Sequence, residues 1–96
     1  MKSNDRREAI ITAALAVAER DGYMRMTRDA IAAEADCSPG LVSAYLGTMA
    51  AMRRAIMRAA VTRKVLPVVA QGLAMRDKHA MDAPEAVRAA AARGIK

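Results

Sequence analysis

Thr27–Tyr45, TRDAIAAEADCSPGLVSAY, is the stretch that decides how this chain is read. Its pattern predicts two short helices, Arg28–Ala35 and Pro39–Tyr45, joined by a tight turn at Asp36, Cys37 and Ser38. Thr27 and Ser38 are both residues whose side-chain oxygen accepts from an unpaired N–H of a first helical turn. Pro39 then falls at the first helical position, where its missing N–H costs little. Ile31, Ala32 and Ala35 recur at helical spacing. Ala32 and Ala35 are small enough to let a second helix cross closely, and Cys37 and Val42 sit where such a pair closes on its own core. The second helix carries no charge and is the one suited to enter a DNA groove.

Towards the N-terminus, Asp5–Arg20 predicts a long helix, capped by Asn4 or Asp5. Ile10, Ile11, Ala14, Leu15, Val17 and Ala18 form its broad apolar stripe. Asp21-Gly22 stops it, Gly22 being suited to a left-handed backbone. Tyr23 is expected in the core with its hydroxyl near the surface, and Lys2, Arg6 and Arg7 make a short basic arm. Towards the C-terminus, Gly47 ends the second short helix, and Thr48 caps a longer one with a stripe of Met49, Met52, Ile56 and Ala59 or Ala60. Pro67 is expected to interrupt that helix near Val65-Leu66. Val68–Met75 continues as a short helix that Gly72 weakens, and Arg76–Met81 reads as a linker. Asp82-Ala83-Pro84-Glu85 has the form of a capping box before an Ala-rich helix, Glu85–Arg93.

Composition agrees with an all-α chain: 24 of the 96 residues are Ala, three are Pro, and Phe and Trp are absent. So few large side chains make a modest core, for which a second copy of the chain is an expected partner. The net charge is +6, and its distribution is uneven. Residues 1–47 carry six Lys/Arg against seven Asp/Glu, whereas residues 48–96 carry ten against three. No acid occurs from Cys37 to Arg76. A solvated basic helix face and a phosphate-binding face both account for this; beside two capped short helices, the anionic partner is the better reading. The single cysteine, Cys37, excludes an internal disulfide framework and suits a reducing cytoplasm. His79 is the only histidine and has no ligand cluster around it, so no metal is expected. No Gly-rich phosphate loop, nucleophile–base set or membrane span is visible, and neither an enzyme nor a cofactor is expected.

Gly22-Tyr23, Thr27, Ile31-Ala32, Ala35, Ser38-x-Gly40, Val42 and Tyr45, preceded by Arg7, Ile10-Ile11 and Ala13-Ala14-Leu15, resemble the DNA-binding domain of TetR-family transcriptional regulators over roughly Arg7–Met57. The resemblance implies an all-α fold: a three-helix helix-turn-helix domain of TetR type, a long fourth helix and a short helical C-terminal tail. The division falls into residues 1–64, the DNA-binding domain, and 65–96, a tail for oligomerisation or partner binding. The family commonly has Tyr at Ser43, Phe at Leu46 and Lys at Met49, and this chain departs at all three. Residues 65–96 are too few for the family's second domain, so no small-molecule effector pocket is expected there. A regulator stripped down in this way suits a phage or mobile element.

On this reading double-stranded DNA is the partner. Phosphates fall to Thr27, Ser38 and the start of the helix at Pro39, with charge from Arg25, Arg28, Arg53 and Arg54. Base edges fall to Gly40, Leu41, Ser43, Ala44 and Tyr45, and Arg28 reaches towards a base. The groove-entering helix has no Arg, Lys, Asn or Gln, so bidentate base contacts, each worth ~1–3 kcal/mol, are unavailable from it. Affinity should rest on phosphates and fall with salt. Two other readings fit the same residues: an accessory subunit of a transposition, partition or packaging complex, and a protein-interaction module with a basic face.

Overall fold

The computed structural model describes residues 3–94, and these form seven helices and no strand. They are α1 Ser3–Asp21, α2 Arg28–Ala35, α3 Pro39–Leu46, α4 Met49–Arg63, α5 Leu66–Ala74, α6 Lys78–Met81 and α7 Glu85–Arg93, with a short 3-10 turn at Tyr23–Arg25. Lys2 of the expected basic arm lies outside the described residues.

Local chemistry explains the element boundaries. Three successive helices start on the same device: the side-chain oxygens of Thr27, Ser38 and Thr48 accept from the amides of Ala30, Leu41 and Ala51 at 3.1, 3.2 and 3.1 Å. Such a cap stabilises a helix by about 1 kcal/mol relative to Ala. Three helices also end alike. Asp36, Lys64 and Arg76 take up a left-handed conformation (φ 56, 57 and 57°), and the next amide returns to the last turn, Cys37 to Ala32, Val65 to Ala60 and Asp77 to Gly72. This closure satisfies carbonyls that would otherwise have no partner.

Several boundaries differ from expectation. α1 begins at Ser3, which places Asp5 within its first turn, where a carboxylate complements the helix dipole. The α4–α5 break is made by left-handed Lys64; Pro67 falls in the first turn of the following helix, where it costs no hydrogen bond. The segment Arg76–Met81, expected as a linker, contains α6, whose cap Asp77 accepts from the amides of His79 and Ala80. The capping box at Asp82–Glu85 does not form: α7 starts from Pro84 with no side-chain cap.

One buried cluster runs through the molecule. It takes Ile10, Ile11, Ala14, Leu15, Val17 and Ala18 from α1, Ile31 and Ala32 from α2, Val42 and Leu46 from α3, and Met52, Ile56, Met57 and Ala60 from α4. The same cluster continues past residue 64 into Val68 and Val69 of α5, Ala80 of α6, and Val87 and Ala91 of α7. The Ala-rich helix is thus held against α5 of its own chain.

Gly72 is buried where α5 meets α4 and α6. A Cβ there would lie 2.5 Å from Cε of Met57 and 2.7 Å from Cβ of Ala80. The Met57 end can swing away, but the Ala80 Cβ is fixed to its backbone. The glycine therefore sets the approach of three helices, which outweighs its poor helix propensity.

Tyr23 is 1 % exposed, and its hydroxyl is internal rather than near the surface, donating to the Arg53 carbonyl at 2.8 Å. Burial pushes the phenol up to about 12, reinforced by the Asp77 carboxylate and opposed by the Arg53 guanidinium.

Gly72→Ala should lower stability by up to about 2 kcal/mol in urea unfolding, because overpacking of about 1–3 kcal/mol is set against the ~1 kcal/mol gained in propensity. Tyr23→Phe should cost about 0.5–1.5 kcal/mol near neutral pH, the net worth of one buried hydrogen bond, because the Arg53 carbonyl keeps its place in the α4 ladder. Because the folded-state phenol titrates above its ordinary value, its contribution is complete below about pH 10 and is lost as pH rises towards about 12. Stability of the native chain should fall across that window, and the Tyr23→Phe chain should lack that part of the fall.

Candidate nucleic-acid interface

The starts of three helices meet on one face. Thr27, Arg28 and Asp29 of α2, Pro39 of α3 and Met49 of α4 line a shallow depression. The amides of a first turn have no intrahelical acceptor and carry the positive end of the helix dipole. Each capping oxygen accepts from its own helix, which leaves the hydroxyl proton of Thr27, Ser38 and Thr48 free to donate outward. Neither α3 nor α4 has an acid in its first turn. α2 does: Asp29 lies in the depression and opposes an anion there. The chemistry therefore favours an anion at the starts of α3 and α4 over the start of α2.

The expected residues divide between this face and other surroundings. Thr27, Arg28 and Pro39 come together, and Ser38 caps the same end of α3. Arg28 is half-buried and donates from Nη2 to the Gly47 carbonyl at 3.2 Å, bracing the C-terminal end of α3. Its Nε is buried and has no partner among the described residues. Arg53 is half-buried too, and its Nε is likewise buried and unpartnered. Arg25 lines a different hollow, shared with Gln71 of α5 and with Met75 just past its end. Arg54 is exposed and lines a third, between α1 and α4.

On α3, Pro39, Gly40 and Ala44 are exposed, Leu41, Ser43 and Tyr45 are half-buried, and Val42 and Leu46 are core. Leu41 and Tyr45 pack against the core cluster. The open edge of the helix is thus small and uncharged: Gly40 and Ala44, one turn apart, with Ser43 beside them. Such an edge allows close approach to another surface and offers one hydroxyl for hydrogen bonding.

Thr48 and Met49 are the residues of this face that the sequence reading assigned only to capping and packing. The repeated cap chemistry of Thr27, Ser38 and Thr48 was the available signal; that the three capped ends converge could not be read from spacing. Among the described residues no group of three or more His, Cys, Asp or Glu is placed to hold a metal ion, and no helix is long and apolar enough to cross a membrane.

Ser38→Ala should remove the cap of α3, lower stability by about 1 kcal/mol and accelerate amide exchange at Leu41 ahead of the α1 core amides. Uniform acceleration throughout the chain would show that α3 has no independent opening. No known family model, curated protein or solved structure matches this chain.

Proposed function

We propose that the chain binds double-stranded DNA as a helix-turn-helix protein of TetR type, with α2 and α3 as the paired helices and α3 in the major groove. The observation that carries this reading is the shared face formed by the starts of α2, α3 and α4. Phosphates would accept from the first-turn amides of α3 and α4 and from the hydroxyls of Ser38 and Thr48, with Thr27 beside Asp29 at the less favoured side of the same face. The small edge at Gly40 and Ala44 would let α3 sit deep in the groove, with Ser43 donating to or accepting from a base edge. The acid-free run from residue 37 to 76 supports the same partner, since α3 and α4 then meet the phosphates without like-charge repulsion.

Specificity on this reading is modest. α3 supplies no bidentate base reader, and Arg28, the nearest guanidinium, already donates to Gly47. Affinity would come mainly from the backbone, and sequence preference from close apolar contact and from DNA shape. A protein that occupies a preferred site in this way acts as a transcriptional regulator by blocking or recruiting polymerase. If two copies bind together, a two-fold repeat with half-sites about one or two helical turns apart follows from the symmetry.

The test is selection from a random duplex library at near-physiological salt, followed by a salt titration on the enriched site. Enrichment is expected, with log affinity falling linearly in log salt at about 0.9 per phosphate neutralised. Ala44→Glu, at an exposed position of α3, should keep its stability and weaken duplex binding by at least about tenfold, equivalent to ~1.4 kcal/mol. Unchanged duplex affinity for Ala44→Glu would place the contact away from α3. No retained duplex at all would remove the DNA reading.

A further inference from the structure

Between the N-terminal half of α1 and the outer side of α4 lies a groove of about 500 Å³. That volume is within the range of small-molecule sites, roughly 300–1,000 Å³. The floor is apolar. Ala51, Ala55 and Ala59 recur at i, i+4 and i+8, so one methyl per turn of α4 faces the groove, and Ile11 and Leu46 close its base. The rim is cationic: Arg7 stands on the α1 side, and Arg54 and Arg58 stand on the α4 side, also four residues apart.

One end of the groove is shut by Arg63, which donates to the Glu8 carboxylate and, at 2.7 Å, to the Thr12 hydroxyl. Glu8 is the only acid lining the groove, and that ion pair occupies it; its distance to Arg7 is 3.9 Å. Arg54 and Arg58 have no carboxylate within 4.0 Å among the described residues. Four guanidinium groups therefore surround an apolar floor against one carboxylate, which is already paired.

We propose that this groove binds small organic anions that carry a flat or chain-like apolar body and one carboxylate, sulfonate or phosphate. The acidic group would take charge-assisted hydrogen bonds from Arg54 and Arg58, whose planar forks match such oxygens. The apolar body would cover the alanine methyls of α4. A DNA backbone matches the arginines but brings only small sugar C–H groups, broken by a phosphate at every nucleotide, so a continuous apolar body covers the floor better. Leu46 is the last residue of α3, and an occupant would touch the base of that helix. The site lies within residues 7–63, outside the tail, and stands apart from the DNA reading; its test contains the chain and the probe alone.

The experiment is a titration of the isotopically labelled full chain with 2-naphthalenesulfonate at near-physiological salt, read by amide chemical shifts. Shifts are expected at Ile11, Ala55 and Ala59, with a Kd below about 1 mM. Methanesulfonate, which lacks the apolar body, and 2-naphthol, which is neutral at pH 7, should each bind at least about tenfold more weakly. Arg58→Gln, an exposed change that leaves the core intact, should weaken the probe by about fivefold or more, in line with the loss of one charge-assisted bond. Ala59→Leu, which fills the floor, should do the same while Arg58 is retained. The proposal is overturned by shifts confined to other helices, by equal affinity of the Arg58→Gln chain, or by methanesulfonate binding as well as the probe. A separate titration with duplex that shifts these amides, when the probe does not, would assign the groove to nucleic acid instead.

Discussion

Tyr23 ties the two ends of this chain together. It is the largest side chain to be fully buried, in a protein with neither Phe nor Trp. Its hydroxyl donates to the Arg53 carbonyl in the middle of α4, and its amide donates to Oε1 of Gln71 in α5 at 2.6 Å. Gln71 in turn donates to the Ala18 carbonyl near the end of α1. One residue and one amide side chain thus join α1, α4 and α5, adding second bonds to carbonyls that already serve the helices, such as that of Ala18, which also accepts from the Gly22 amide. In an interior built mostly of Ala, Val, Ile and Met, where each contact contributes little, such directional bonds fix the relative placement of helices that dispersion alone would leave interchangeable.

That placement has consequences for charge. With α4 held against α1 and α5, its inner side is Met52, Ile56, Met57 and Ala60, and its arginines are driven to different surroundings. Arg53 is drawn half-way inside beside Tyr23, whereas Arg54 and Arg58 reach the groove facing α1. Adjacent residues in the sequence therefore meet different electrostatic environments. The basic character of the second half of the chain does not form one uniform face.

The fold was legible where the signal was local. α2 was readable to the residue because Thr27 caps it and Asp36 accepts the left-handed backbone at small cost. The apolar stripe of α1 was readable because its six large or methyl-bearing positions recur with the helical period. The ends of α4 and α5 were not, since Lys64 and Arg76 adopt a left-handed conformation that Gly ordinarily marks. Nothing in a lysine or an arginine announces that turn; packing of the next helix imposes it. α6 was hidden for a related reason. A single turn held by the Asp77 cap and by burial of Ala80 is too short for any periodicity to appear. The site was half legible: cap residues could be named, whereas Arg25 and Arg54 were grouped by charge and the fold sends them to separate hollows.

By itself, the sequence determined that the chain is helical, where α1 to α4 lie, which side of each is apolar, and that its positive charge is concentrated after residue 47. These follow from backbone propensity, capping and periodicity, which act within a few residues. Only the tertiary structure decided that three capped helix starts share one face, that Gly72 is the contact point of three helices, and that four arginines from two helices surround one alanine-floored groove. Those are relations between residues up to about fifty positions apart, set by how small side chains let helices approach. No local rule reaches that far.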